Sequence, residues 1–367
     1  MTASPEDLRY FRAALTLGRR ELGATAPNPA VGALVVKDGV IVGRGWTQAG
    51  GRPHAEPMAL AQAGDEARGA TLYVTLEPCA HHGKTPPCAD AIVASGVARV
   101  VGGLTDPDPR TAGQGFARLR AAGLEVETDV LPEEGARAHR GHILRVTENR
   151  PMVTLKIART PDGFAAGAEH DRRLVITGLA ANLRTHVLRS LYEAIMVGIG
   201  TVLGDDPMLT VRLPGVARQP LRVVLDALCD LPARSRLAAS ARELRTLVLC
   251  GVGADPARRE VLHGFGVETA DCPLSQGRID LHAALEILAR RGLTRVFSEG
   301  GPRVGAALVA TGLADEVLLL TGPRPLGRSG VEALSEEARA KLDDPLCYAT
   351  VERGLLGDDS YCHYERL

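Results

Sequence analysis

The alternation of apolar and polar positions divides the chain into two successive runs of α/β elements. Ser4-Pro5-Glu6-Asp7 supplies a cap, a proline in the first turn and an acid three places after the cap, and Leu8, Phe11 and Leu15 then recur on one face, so a helix is expected. Beyond Pro27-Asn28-Pro29, the apolar runs 31–36 and 40–42 flank Lys37-Asp38-Gly39, a tight-turn signal that predicts a hairpin. Strands are predicted over 71–76 and 99–103, with helices starting near His54, Cys88 and Gly115, and this alternation calls for a layered α/β sheet. The stretch 133–149 is charged and Arg150-Pro151 interrupts it, which places two domains over residues 1–148 and 149–367. The pattern then restarts. Strands are expected over 153–158, 194–198, 221–226, 246–250, 295–298 and 316–320, helices over 180–191 and 281–291, and a terminal hairpin around Gly357-Asp358-Asp359-Ser360.

Composition narrows the class of partner. The 367 residues are more than one hydrophobic core usually organises, in keeping with two domains. With 43 Lys and Arg against 44 Asp and Glu, the chain has no basic excess to neutralise phosphates along a nucleic acid, so a small-molecule substrate fits better. The first residues place acids ahead of a short apolar stretch, so neither a signal peptide nor a membrane span is expected and a cytoplasmic location follows. Seven cysteines are an odd number, thinly spread, and unsuited to a disulfide framework. Cys79 and Cys88 alone lie close together, which reads as metal binding or catalysis.

The chemistry concentrates there. A catalytic zinc takes three nitrogen or thiolate ligands and keeps a fourth position for water, and His54, Cys79 and Cys88 supply such a set. His54-Ala55-Glu56 followed by Pro78-Cys79 matches the zinc-deaminase pattern, in which the glutamate is acid and base but not a ligand. The second cysteine is displaced, because eight residues, 80–87, separate Cys79 from Cys88 and must loop out to return the second thiolate. Zinc lowers the pKa of bound water to about 7 in favourable sites, and the hydroxide can attack an amino-bearing ring carbon. Glu56 would take the water proton and pass it to the departing ammonia. Helix starts near His54 and Cys88 would favour the Cys88 thiolate through their exposed N–H groups. A lone His-x-Glu or a lone buried cysteine ordinarily means nothing, and a closed structural site with His81 or His82 as fourth ligand competes; Glu56, two places after the first ligand, favours catalysis.

The string 75–88, Thr-Leu-Glu-Pro-Cys-Ala-His-His-Gly-Lys-Thr-Pro-Pro-Cys, with His54-Ala55-Glu56 and residues 27–32 before it, resembles the bifunctional deaminase-reductase family of riboflavin biosynthesis. The resemblance runs through nearly the whole chain. Its second half carries Lys156 to Gly163, Gly200 to Pro207 with Leu209 to Arg212, and Glu299-Gly300-Gly301-Pro302, similar to that family's reductase motifs. It implies an α/β fold: an N-terminal cytidine-deaminase-like three-layer α/β/α domain and a C-terminal dihydrofolate-reductase-like α/β domain. It further implies one Zn2+ in the first domain and NADPH in the second. A diaminopyrimidinone carrying a phosphoribosylamino group would be deaminated, and the ribosyl group of the product reduced to ribityl. By motif position, Asn28 and Lys84 would contact the first substrate, and Arg189, Leu209, Arg212 and Glu299 the second. Thr201, Asp205, Gly301, Pro302, Arg303, Val304, Gly305, Ala306 and Ala307 would hold NADPH.

Physical reading supports parts of this. Gly300-Gly301 after a strand and before a helix puts free N–H groups where a cofactor phosphate can sit, although most such glycine pairs are only turns. Arg189 and Arg212 can each grip a phosphate with two N–H groups, though most arginines are solvated surface charges. Lys156 could approach the sugar, whereas a strand lysine usually points to water. The sequence departs from the family at Thr47, where a histidine is common, at Thr160, where serine is usual, at Arg173, and at Leu174 to Thr177, which lack the usual tryptophan. Two other readings remain: a nucleoside or tRNA-adenosine zinc deaminase with an unrelated C-terminal domain, and a non-enzymatic zinc-stabilised nucleotide-binding protein. The first prefers two residues between its cysteines, and RNA wants a basic face that is not evident here. A homo-oligomer is left open.

Overall fold

A computed structural model describes residues 3–83, 85–168, 171 and 174–367. The chain divides into two compact units, Met1–Asn149 and Arg150–Leu367.

In the first unit, helix α1 (Pro5–Gly18) starts where the cap pattern places it: the Ser4 hydroxyl accepts from the Asp7 N–H at 3.1 Å and the Asp7 carboxylate accepts from the Ser4 N–H at 2.9 Å. Strands β1 (Gly32–Lys37) and β2 (Val40–Trp46) form the expected hairpin, with Asp38 and Gly39 at φ 50° and 77° in its turn. Helix α2 (Ala55–Ala63), strand β3 (Thr71–Leu76), helix α3 (Cys88–Ser95), strand β4 (Arg99–Leu104), helix α4 (Gln114–Ala121), strand β5 (Glu125–Glu127) and helix α5 (Pro132–Thr147) follow. The sheet order is β2-β1-β3-β4-β5, antiparallel through β1 and β3 and parallel from β3 to β5.

Side-chain alternation sorts two cores onto the two faces of this sheet. Ala33, Val35, Leu72 and Val74 meet α2, α3 and α4, while Leu34, Val36 and Tyr73 meet α1. Helix α2 lies close on β2 because Gly45 has no side chain: a Cβ there would stand 1.9 Å from the Ala55 carbonyl oxygen. The charged stretch ahead of the domain boundary forms the helix α5, whose Gly135, His139, His142 and Leu144 are buried.

The second unit is built on a nine-stranded sheet. Its strands lie in the order Glu268–Cys272, Thr246–Gly251, Leu221–Leu225, Ala194–Gly198, Arg295–Ser298, Met152–Arg159, Glu316–Thr321, Asp359–Arg366 and Tyr348–Leu356. The first seven run parallel and the terminal hairpin joins antiparallel. Strands Ala194–Gly198, Leu221–Leu225 and Thr246–Gly251 are buried at every residue, as expected of parallel strands covered on both faces. Asp315 anchors the entry to this unit. It is fully buried, receives Arg150 through two bonds of 2.7 and 2.8 Å, and also binds Arg366 and the Val153 N–H. Strand Arg295–Ser298 lies between two strands that precede it in the chain. The C-terminal ends of these parallel strands therefore form the kind of crevice where α/β sheets bind ligands.

Candidate active sites

Three elements of the first unit converge on one point. His54 is the N-cap of α2, Cys79 follows the end of β3, and Cys88 opens α3. The imidazole Nδ1 lies 3.3 Å from Cys88 Sγ and 3.8 Å from Cys79 Sγ, and the three donor atoms lie within 4.8 Å of one another. Tetrahedral zinc, with Zn–S near 2.3 Å and Zn–N near 2.0 Å, sets its ligand atoms about 3.5–3.8 Å apart, so the donors fit that ion. Their electrostatics point the same way. The hydrogen bond from the Cys88 thiol and the contact with His54 hold the Cys79 thiol well below its ordinary range against the cost of burial. The Cys88 thiol, sharing that bond and buried, is pushed far up. Two thiols that cannot both ionise on their own are a donor set matched to a cation, which deprotonates coordinating thiols outright.

Glu56 sits in the first turn of α2, buried, and hydrogen-bonds Cys88. Burial raises its carboxyl above the usual range, and the Cys79 charge adds to this. Asn28 Nδ2 donates to the Gly51 carbonyl at 2.8 Å and stands 3.1 Å from His54 Nε2, the ring nitrogen that does not meet the thiols. Lys84 lies outside the described residues, as does Arg173. The N–H at the start of α3 serves a different sulfur from the one expected, because Cys88 N donates to Cys79 Sγ at 3.3 Å. Thr47, where a histidine is common, is buried and its hydroxyl accepts from the Val31 N–H at 3.0 Å, so it holds the strand start.

A buried polar network that has no local motif runs from Glu77, two residues before Cys79. Glu77 accepts from four backbone N–H groups; His142 Nε2 lies 2.9 Å from Asp106 Oδ1; and His139 Nε2 lies 3.0 Å from the Thr75 carbonyl oxygen. His139 and His142 gave no sign of partners along the chain. The sole signal was their spacing of three, which puts both on one helical face.

In the second unit, the residues expected at the reductase site gather at the C-terminal ends of the parallel strands. Arg189, in helix Leu179–Ser190, meets Glu299, just beyond strand Arg295–Ser298, through Nε–Oε1 at 2.5 Å and Nη2–Oε2 at 3.0 Å. Arg189 Nη1 also donates to the Thr210 carbonyl at 2.8 Å. Its fork is thus engaged by a carboxylate and is not open to grip a phosphate with both arms. Burial pushes the Glu299 carboxyl up, but Arg189 and then Lys156 outweigh it and hold it below the usual range. Leu209 is buried at φ 50°, an unusual conformation for a branched side chain, and turns the chain so that Thr210 faces Arg189. Arg212 is exposed, and its N–H donates to His186 Nδ1 at 3.2 Å. Burial and the two arginines lower the His186 pKa, which keeps that nitrogen free to accept.

Gly301 caps helix Pro302–Ala310 without a side-chain hydrogen bond at its N-terminus, and a Cβ on Gly301 would lie 3.1 Å from the Thr201 hydroxyl. Thr201 and the glycine turn are therefore neighbours. Arg303 is exposed, Val304, Ala306 and Ala307 are half-buried, and Gly305 is buried against Leu155. Asp205 ends helix Ile199–Asp205 and is exposed. Thr160 bonds the Phe164 backbone, and Asp162 accepts from the Leu326 and Gly327 N–H groups at 3.0 and 2.9 Å.

A histidine-dithiol donor set beside a buried glutamate, joined to a parallel-sheet unit with a glycine-turn helix N-terminus, defines a two-domain enzyme of the zinc-deaminase and nucleotide-reductase class. Comparison with known proteins agrees. Residues 4–104 match the cytidine and deoxycytidylate deaminase zinc-binding region, and residues 151–349 match the RibD C-terminal domain. The riboflavin biosynthesis protein RibD of Aquifex aeolicus is 38% identical over 341 residues, covering 91% of this chain and 94% of that protein. The protein of that name from Escherichia coli is 36% identical over 373 residues, covering 98% and 99%. Among solved structures, Acinetobacter baumannii RibD superposes with a TM-score of 0.86 at 33% identity, covering 99% of each chain. A Thermotoga maritima diaminohydroxyphosphoribosylaminopyrimidine deaminase/5-amino-6-(5-phosphoribosylamino)uracil reductase gives 0.84 at 34%, also over 99% of each. The chain belongs to the RibD family of bifunctional riboflavin biosynthesis enzymes, with a zinc-binding deaminase domain and a reductase domain.

Proposed function

We propose that the two units carry out successive steps on one small molecule. The first hydrolyses the ring amine of 2,5-diamino-6-(5-phosphoribosylamino)pyrimidin-4-one, and the second uses NADPH to reduce the ribosyl group of the resulting 5-amino-6-(5-phosphoribosylamino)uracil to ribityl. The observation that carries the reading is the convergence of His54, Cys79 and Cys88 with Glu56 buried beside them. Zinc held by His54, Cys79 and Cys88 would supply an acidified water as the nucleophile. Glu56, in contact with Cys88, takes a proton from the water and delivers it to the departing amine, and its burial suits a carboxyl that must be protonated between those two events. Asn28, fixed by Gly51, and Lys84 orient the pyrimidine.

In the second unit the free N–H groups at Gly301 and the first turn after it, with Thr201 and Asp205, hold NADPH. Residues 302–307, in the same helix, would line the cofactor site. Glu299, kept ionised and in place by Arg189, faces the substrate with Lys156, Leu209 and Arg212, and the Arg212 guanidinium is the cation for the substrate phosphate. A cytoplasmic location goes with such substrates; among the described residues no helix is long and apolar enough to cross a membrane.

Glu56→Gln tests the deaminase assignment. The variant is expected to keep its zinc and lose ammonia release by two or more orders of magnitude, with NADPH oxidation on the deaminated substrate unchanged. Retained ammonia release would remove Glu56 from the chemistry. The tRNA-deaminase reading gains nothing from the structure, because the relatives above match over both units.

A further inference from the structure

We propose that Glu77 is a positioning residue for the metal site: its carboxylate ties the peptide that carries Cys79 to α4 and to the 105–113 loop, and so sets how firmly zinc is held. The inference rests on reading His54, Cys79 and Cys88 as the zinc centre. Glu77 is 4% exposed and two residues before Cys79. Oε1 accepts from the N–H groups of Gly115 at 2.8 Å and Phe116 at 3.2 Å, and Oε2 from those of Asp106 at 3.0 Å and Gly113 at 2.9 Å. Four donors on two oxygens use the full accepting capacity of a carboxylate, and no neutral side chain of this length offers it. Its negative charge also stands at the N-terminus of α4, where the helix field favours it.

The linkage to Cys79 is short. Only Pro78 intervenes, and its ring removes one of the few soft dihedrals between the two residues, so a shift of the Glu77 backbone passes to the ligand with little slack. The surroundings are equally tight. The Glu77 N–H donates to Leu104 at 3.0 Å, and a Cβ on Gly115 would lie 2.0 Å from the Pro78 carbonyl oxygen, so α4 abuts the very peptide that Glu77 tethers. Beyond the ligand, the Cys79 carbonyl accepts from Ala89 at 3.2 Å, and Thr111 of the tethered loop stands 3.4 Å from His81 Nδ1. Zinc sites tolerate about 0.2 Å in ligand position, and residues that orient ligands typically govern metal affinity by about 10–100-fold.

The experiment uses the full chain loaded with zinc and challenged with excess EDTA, timing metal release, beside kcat and KM for ammonia release. Glu77→Gln, which sets an amide NH2 against two of the four N–H groups, should release zinc at least 5-fold faster than wild type. It should also lower kcat with KM within 2-fold and leave NADPH oxidation unchanged; Glu77→Asp, keeping the charge, should fall between. Release accelerated by less than 5-fold overturns the proposal. A fall in melting temperature equal with and without zinc, and with unchanged release, marks a purely structural carboxylate and overturns it too. If Glu77→Gln does not fold, the wild type gives the answer by reciprocity of linkage: the amides of Gly113, Gly115 and Phe116 should exchange at least 5-fold more slowly with zinc than after chelation, and equal exchange refutes the coupling. Wild-type protein that takes up no zinc would instead sink the metal reading, and this inference with it.

Discussion

Replacing Glu299 by glutamine probes the second site without touching the first. The Arg189–Glu299 contact is a two-armed pair at 2.5 and 3.0 Å, with side-chain exposures of only 11% and 13%. Hydrogen bonds to charged groups contribute about 1.5–3 kcal/mol and neutral ones about 0.5–1.5 kcal/mol. Glutamine keeps one acceptor but turns an NH2 group towards a guanidinium donor, so the pair loses about 2 kcal/mol, or about 30-fold in kcat/KM for the step that depends on it. The assay follows NADPH absorbance with the deaminated substrate, and ammonia release with the first substrate, on the same preparation. Reductase kcat/KM is expected to fall about 30-fold or more, with ammonia release unchanged. Arg189→Lys, which lacks the planar fork, should show a similar loss, and the double variant less than the product of the two, since both break one contact. A reductase within 3-fold of wild type, or a parallel fall in ammonia release, would show that the Arg189–Glu299 pair does not serve the reductase step alone. The sign with pH is fixed as well: the Glu299 pKa is depressed in the folded chain, so its contribution is complete above about 4.5 and is lost as pH falls through its lower folded value.

Two further outcomes follow from the first unit. Burial, with the neighbouring His142 adding, lowers the His139 pKa from 6.5 to about 4, so the unfolded chain takes up the proton first and stability falls as pH drops from 6.5 to 4, by about 3 kcal/mol in all; urea unfolding across that range should show this limb in the wild type and lose it in His139→Gln. Gly115→Ala, which drives a methyl group into the Pro78 carbonyl, should cost the first unit about 1–3 kcal/mol and lower ammonia release at least 10-fold while NADPH oxidation stays within 2-fold, as paired half-reaction assays would register.

The zinc donors were legible because the chemistry restricts residue types and the motif is local: His54-Ala55-Glu56 and the cysteine pair needed only a strand and two helix starts around them. The hairpin at Asp38-Gly39 and the parallel strands were legible for a similar reason, since turn chemistry and continuous apolar runs act over a few residues. What failed to show depends on partners far along the chain. Glu77 reads as an ordinary charged residue until residues 106–116 fold back onto it. The stretch 133–149 shows only its charge along the sequence, because α5 buries mainly glycine and histidine, not a row of leucines, on its inner face. Arg189 looks like a phosphate ligand until Glu299, 110 residues later, occupies its fork. Thr47 is a departure only by comparison of motifs; in the folded chain it closes a hydrogen bond to Val31.

Metal removal separates the two activities. The purified chain would be stripped of zinc by chelation and assayed for ammonia release from the diaminopyrimidinone ribosyl phosphate and for NADPH oxidation with the deaminated product. Ammonia release is expected to disappear and to return on adding Zn2+, while NADPH oxidation is untouched throughout. Ammonia release that survives zinc removal, or loss of both activities together, would contradict that expectation.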